Sequence, residues 1–312
     1  MLYSQQYRIW DFWATSVDRT HHLFYLKAPR TGLPQSRHDQ AVIGHAISTD
    51  WEHWVPQADA LRPPLFPAWD DLALWTGSVI RSDTHWLMFY TGRDRRTRTQ
   101  NIGVAESDDL SSWQRSSSEP ILPPDPQWYV TASEESSETF TWRDPYAVRD
   151  AATGLHYLFI AAHDRRQVPG YSGAVAAAVS EDLRHWSLLP PVLSPGWFRD
   201  LEVPTVIQRQ GRWYLYCSVK SDWYHPSNPF SEPRTTTLCF QSPNILGPYL
   251  PVAEAAECTP ALWYACRPVY DEVRGYLLMG WRMGAEEGYA DTPCSYGVDD
   301  PVPLCPPPKE CG

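Results

Sequence analysis

A chain of 312 residues with 37 acidic against 26 basic side chains carries a net charge of −11 and a pI near 5.3. That balance excludes a nucleic-acid partner held by phosphate contacts, because no basic stripe is present to neutralise them. No run approaches the ~20 apolar residues of a membrane span, and Met1 to Arg8 lack an apolar secretion core, so a soluble cytoplasmic protein with no membrane partner is expected.

The elements, taken in chain order, form one pattern repeated five times. Short apolar runs of strand length lie at 22–26, 85–90, 157–160, 213–216 and 276–279. About a dozen residues before each lies another strand-like segment. In the first, third and fourth copies it carries Asp11, Asp144 and Glu202; the second and fifth have Trp75-Thr76-Gly77-Ser78 and Trp263-Tyr264. After each of the first three apolar runs comes a strand ending in Ser48, Ser107 or Ser180, then Asp50, Asp109 or Asp182, and an aromatic, Trp54, Trp113 or Trp186. A weaker version lies at 242–249. Such segments read as a strand, a Ser or Asx turn and the start of the next strand, so the three aspartates are expected to form turns.

A repeat of roughly 60–70 residues fits one four-stranded sheet with its loops, the unit of a β-propeller. The expected fold is an all-β, single-domain propeller of five four-stranded blades over residues 1–290, followed by a Pro- and Cys-containing tail at 291–312. Sixteen Trp, 17 Tyr and 30 Pro suit that fold, and flat aromatic faces also suit sugar rings. Seven cysteines include no C-x-x-C pair. Free thiols are expected, with a disulfide-braced tail as the alternative in a secreted protein. His45, His53, His163 and His185 read as packing residues and the basic cluster at 93–98 as a solvated loop.

Asp11, Asp144 and Glu202 each sit among large apolar neighbours, where an unpaired ion costs several kcal/mol to bury. In a propeller the first strand of each blade lines the central channel, so the three acids are expected to share one axial cavity. Two or three carboxylates around one cavity suit cleavage of a glycosidic bond: one protonates the leaving oxygen, another attacks the anomeric carbon or activates water. A Ca²⁺ site is the competing use of the same oxygens. Arg143 beside Asp144 argues against a pure cation cage, and neither metal nor cofactor is expected.

Here the residues carry a resemblance. Gly44-His45-Ala46-Ile47-Ser48-Thr49-Asp50 through Trp54 is similar to a segment of the β-fructofuranosidases, glycoside hydrolase family 32. Residues 22–25 resemble their H-L-F-Y, Trp75 to Ser78 their S-G-S element, Arg143-Asp144-Pro145 their R-D-P and Glu202-Val203-Pro204 their E-C-P motif. Trp10-Asp11 looks more like the W-D of family 68 levansucrases, and the C-terminal β-sandwich of most family 32 enzymes has no counterpart in the sequence. The resemblance implies a five-bladed propeller that cleaves β-fructofuranosidic bonds in sucrose or fructo-oligosaccharides with retention, by hydrolysis or transfer. It implies Asp11 as nucleophile, Glu202 as general acid/base and Asp144 as transition-state stabiliser, with Trp13, Trp75, Ser78 and Arg143 contacting the sugar. Glu202, sharing an aromatic pocket with two other carboxyls, is expected to hold its proton near neutral pH.

Two other readings stay open: an inverting arabinofuranosidase or xylosidase of the family 43 type, and a non-catalytic sugar-binding propeller. Carboxyl separation divides the first from the leading reading, about 5–5.5 Å for retention against about 6.5–9.5 Å for inversion. Loops at 125–140 and 221–234 are expected to shape the leaving-group side. A small carbohydrate is the one partner expected; oligomeric state is not legible.

Overall fold

The computed structural model describes residues 1–31, 34–136, 139–230, 232–252 and 259–304. Blade one consists of β1 (Tyr7–Val17), β2 (Thr20–Pro29), β3 (Val42–Ser48) and β4 (Val55–Pro56). Blade two contains β5 (Ala73–Arg81), β6 (Trp86–Arg93), β7 (Gln100–Ser107) and β8 (Gln114–Arg115), and blade three β9 (Trp142–Arg149), β10 (His156–His163), β11 (Gly173–Ser180) and β12 (Ser187–Leu193). Blade four is β13 (Glu202–Arg209), β14 (Arg212–Val219), β15 (Thr236–Ser242) and β16 (Leu250–Pro251). The fifth has β17 (Trp263–Asp271), β18 (Gly275–Arg282) and β19 (Val302–Pro303).

Each sheet is an antiparallel meander in sequence order. The first strands pack on one another in a closed circuit, β1 on β5, β5 on β9, β9 on β13, β13 on β17 and β17 on β1. This is the five-bladed propeller that the repeat predicts. Most outer strands span two residues, so little unpaired edge is presented to solvent.

Two sequence expectations need correction. Blade five has three strands among the described residues, not four. The segment from 291, expected as a tail following the propeller, is in its described part a piece of the propeller itself. Residues 295–299 are buried, Val298 bridges both Leu2 and Trp281, and Val302–Pro303 pairs with β18. Backbone bonds from Leu2 N–H to Val298 O (2.8 Å) and from Ile9 N–H to Tyr296 O (3.0 Å) stitch blade one to blade five. Burial of those backbone groups against partners explains why Pro-rich composition here does not mean a loose segment. Cys217, Cys239, Cys266 and Cys294 are free thiols; Cys258, Cys305 and Cys311 lie outside the described residues.

The repeated Ser-x-Asp element forms turns as expected. The Ser48 hydroxyl accepts from the backbone N–H groups of Asp50 and Trp51, while Asp50 Oδ1 accepts from those of Glu52 and His53. Asp109 and Asp182 accept from the equivalent pairs of backbone donors. The aromatic that follows joins blades: Trp113 meets Phe24 of blade one edge-on at 5.6 Å, and Trp186 meets Phe89 of blade two at 5.5 Å.

Every first strand carries one extra residue at the same level. Register shifts fall between Trp10 and Phe12, between Trp75 and Gly77, opposite Ile160 at Asp144-Pro145, between Glu202 and Thr205, and between Tyr264 and Arg267. A bulge bends the strand and re-aims a side chain. It also accommodates Pro145 and Pro204, which lack the N–H a regular ladder requires. Asp11, Asp144, Val203 and Ala265 take positive φ at these bulges (29°, 59°, 53° and 47°), a conformation costing of order 1–3 kcal/mol each in non-glycine residues.

Blade two shows no positive φ at its bulge; there Gly77 follows the extra residue and lets β5 approach β6 closely, since an added Cβ would lie 2.1 Å from the carbonyl oxygen of Phe89. Gly77→Ala should therefore push β5 off β6 and destabilise the protein by about 1–3 kcal/mol in urea unfolding. An unchanged midpoint and slope would show that the strand pair tolerates the methyl group.

Candidate active site

The bulges set five side chains, one from each blade, in a single layer: Asp11, Thr76, Asp144, Glu202 and Tyr264. All five line a cavity of about 730 Å³ at one end of the channel. Three carboxylates separated by up to 191 residues of sequence thus meet, as the propeller expectation requires.

Both oxygens of Asp11 are held. Thr76 Oγ1 donates to Oδ2 at 2.6 Å and the Trp281 indole N–H to Oδ1 at 2.9 Å, which fixes the plane of the carboxylate. Burial raises the Asp11 pKa above its ordinary value, while the Thr76 hydrogen bond and the charges of Arg267 and Arg37 pull it back. Glu202 is held in the same way, by Arg143 Nη2 on Oε1 at 3.0 Å and by the Tyr264 hydroxyl on Oε2 at 2.6 Å. Asp144 is buried; its Oδ2 accepts from the Val203 backbone N–H at 3.0 Å, and its own N–H donates to Thr91 Oγ1 at 2.8 Å. Burial pushes its pKa up to about 7, with Asp11 and Glu202 adding to the rise and Arg143 opposing it. Burial and neighbouring carboxyls thus raise both Asp144 and Asp11.

Arg143 is the charge centre of the wall. Besides Glu202 it contacts Asp200 at 3.2 Å and Asp144 at 3.8 Å. Burial alone would lower its pKa, but the three carboxylates outweigh burial and keep it charged. Asp200 also faces His163 Nε2 at 3.2 Å, and His163 Nδ1 faces Glu135 at 2.9 Å. His163, buried yet bonded to two carboxylates, has its pKa raised to about 9, so it is an imidazolium at neutral pH. Its reading as a packing residue is therefore corrected: it is the second cation of a buried network behind Glu202.

Other sequence candidates separate into two groups. Trp75 lines the cavity, donates its indole N–H to His38 O at 2.7 Å, and is covered on one face by the Arg93 guanidinium at 4.4 Å. Arg93 is buried and paired with Asp39 at 2.6 Å, and it lines the cavity with Arg98, so the 93–98 cluster is in part site wall and not simply a solvated loop. Glu135, Thr139 and Trp223 place both expected loops on the cavity.

Trp13 and Ser78 do not line this cavity. They point into the channel one layer deeper, because residues two apart on a strand share a face while advancing about 6–7 Å along it. Ser78 Oγ there accepts the Ala147 backbone N–H at 2.9 Å, and Trp13 stacks on Phe24 with ring centroids 6.1 Å apart. The Gly44 to Trp54 segment is likewise structural: His45 is buried, stacked on Phe24 and bonded to His22 at 3.0 Å. Sequence reasoning assigned no role to Thr76, Tyr264, Asp200 or Trp281. Thr76 occupies the repeat position of Asp11 and Tyr264 that of Glu202, and both were legible from that register; no local signal marks Trp281.

The raised Asp144 has a consequence for stability. In the folded chain it keeps its proton to about 7, against an ordinary value of 3.8. The folded state thus binds the extra proton, and stability falls as pH rises from about 4 to about 7. At about 1.36 kcal/mol per pKa unit the loss is up to about 4 kcal/mol. Asp144→Asn cannot titrate, so its stability relative to wild type should climb across that window in urea unfolding; a constant difference would contradict the shift.

Comparison with known proteins agrees with this geometry. Residues 14–195 match the model of the glycosyl hydrolases family 32 N-terminal domain; Asp144 falls inside that stretch, with Asp11 and Glu202 just outside it. An insoluble β-fructofuranosidase isoenzyme of Arabidopsis thaliana is 31% identical over 127 residues, 39% of this chain and 22% of the plant protein. A fructan 1-exohydrolase of Triticum urartu is 29% identical over 154 residues, 47% of this chain and 23% of its own. The matched stretch therefore spans less than a quarter of these relatives' length. Among solved structures, an inulosucrase from Halalkalicoccus jeotgali bound to kestose superimposes with a TM-score of 0.73 at 23% identity, over 90% of this chain and 79% of that one. Bacillus subtilis levansucrase superimposes with a TM-score of 0.71 at 18% identity, over 95% and 83% of the two chains, which is a likeness of fold. With the family model running through more than half of its length, from the first blade to the end of the third, the chain belongs to glycosyl hydrolase family 32.

Proposed function

We propose that this protein cleaves β-fructofuranosidic bonds, as in sucrose or fructo-oligosaccharides, by a retaining double displacement that delivers the fructosyl group to water or to a sugar hydroxyl. The observation that carries the reading is the pair Asp11 and Glu202, each fixed by two donors in one layer of one cavity. A free carboxylate would have to be oriented at the moment of reaction; these are oriented beforehand, which lowers the entropic part of the barrier.

In the first step Asp11 attacks the anomeric carbon as Glu202 gives its proton to the departing oxygen, leaving a fructosyl ester on Asp11. In the second, Glu202 takes a proton from water or an acceptor hydroxyl, whose oxygen displaces Asp11 from the same carbon. Asp144, in the same cavity, accepts hydrogen bonds from ring hydroxyls as positive charge grows on the sugar. Trp75 and Arg143 complete the wall on the fructosyl side, and Trp223 with the loop around Glu135 faces the leaving group.

Incubating purified protein with sucrose, inulin, levan and aryl arabinofuranosides, with NMR of the first-formed sugar, tests the proposal. Turnover of a fructoside with retained configuration is expected. Inverted product from an arabinofuranoside would move the protein to the family 43 type, and binding without turnover would make it a sugar-binding propeller.

A further inference from the structure

One strand step below the acid layer, the same five strands contribute Trp13, Ser78, Tyr146, Thr205 and Arg267 to a second cavity, of about 460 Å³, separate from the acid-lined one. Arg267 is the cation of this layer. It is 2% exposed, and its Nε, Nη1 and Nη2 have no hydrogen-bond partner among the described residues; the guanidinium lies over the Tyr146 ring at 5.5 Å. The Trp13 indole N–H and the Thr205 hydroxyl, which line the same cavity, are also buried and unpartnered. A buried guanidinium with empty donors costs several kcal/mol, and native structures almost never leave such groups unmet. The nearest carboxylates in the layer above, Asp11 and Asp144, are driven by burial toward their neutral forms and offset the Arg267 charge incompletely.

The geometry points to this lower cavity as a binding site for one small monovalent inorganic anion of the chloride class, held by Arg267 with the Trp13 and Thr205 donors around the channel. Charge argues for a monovalent guest: one guanidinium balances one negative charge, whereas a phosphate dianion would leave an excess charge facing three carboxyls. The walls argue for a weakly hydrated one, since Trp13, Tyr146 and Trp51 are mainly aromatic surface, and the unpartnered Trp13 and Trp51 indole N–H groups replace only part of a tight water shell. Glu272 at the rim is exposed, so solvent screens its charge. An anion on Arg267 cancels part of the pull that this residue exerts on the Asp11 and Asp144 carboxyls, which links the occupant to the chemistry above.

Crystals of the intact protein soaked in sodium bromide test the site by anomalous scattering. A bromide peak within hydrogen-bonding distance of the Arg267 guanidinium in wild type, and none there in Arg267→Met, is the expected result. Water alone at that position, or no ordered density, in a wild-type crystal holding bromide elsewhere would overturn it. In solution, replacing gluconate by chloride at constant ionic strength should raise the wild-type Tm saturably, as a ligand of the folded state does. An equal rise in Arg267→Met would show non-specific salt action and refute the site. If that variant fails to fold, Arg267→Lys, which keeps the charge but loses the planar fork, serves in its place, with weaker chloride dependence expected.

Discussion

Asp11→Asn should abolish turnover of any fructoside the protein cleaves, lowering kcat by about 10⁴ or more, while Glu202→Gln should cost about 10²–10⁴. Asparagine can keep its oxygen toward the Trp281 indole N–H and turn its NH2 toward Thr76 Oγ1, which as a hydroxyl can accept, so the fold and the cavity survive, but the amide is no nucleophile. The two losses should differ in kind. Without Asp11 no covalent fructosyl-enzyme forms from any substrate. Without the Glu202 proton, substrates with good leaving groups should lose far less than sucrose does, because an aryloxide departs without protonation. Sugar affinity, read by calorimetry on the inactive variants, should change little, since both groups act chiefly in the transition state. Full activity in Asp11→Asn would remove the nucleophile assignment, and equal losses on activated and unactivated substrates would remove that of Glu202.

Arg143→Met is expected to have the largest effect on stability. Arg143 is the shared counter-charge of Asp200, Glu202 and Asp144. Removing one partner from a buried ionic cluster strands the others, at a cost of about 3–5 kcal/mol. The loss has a defined pH dependence. Asp200 in the folded chain is held below its ordinary pKa by Arg143 and His163 in spite of burial, so its contribution is present above about pH 4 and disappears as pH falls through the folded value. The gap between wild type and Arg143→Met should thus be full at neutral pH and narrow in acid as the carboxyls take up protons. His163 gives the opposite limb: its pKa is raised to about 9, so its stabilisation is complete below about 6.5 and is lost as pH rises through about 9. Urea unfolding from pH 3 to 10 separates the two; a pH-independent gap would place the role of Arg143 in packing alone.

How much of this was legible beforehand depended on whether a feature is local in sequence. Strand runs, Ser-x-Asp turns and the repeat that counts blades each involve residues within a few positions of one another, and their hydrogen bonds close locally, as at Ser48 and Asp50. The blade count, the shared cavity of Asp11, Asp144 and Glu202, and the turn role of Asp50, Asp109 and Asp182 could therefore be read from order and spacing. Depth along the channel could not. Trp13 and Ser78 obey the alternation that puts them on the channel face, yet they line the lower cavity, because the bulge level divides the channel into two layers and spacing alone does not say which layer a sugar enters. The sequence by itself thus determined the propeller, its number of blades and the acids it brings to one axis, since these follow from periodicity and local turn chemistry. Tertiary structure alone decided that Trp281 orients Asp11 from 270 positions away, that His163 is a charged member of the site, and that residues 295–304 complete the ring, because each depends on closure of a circuit whose partners are remote along the chain.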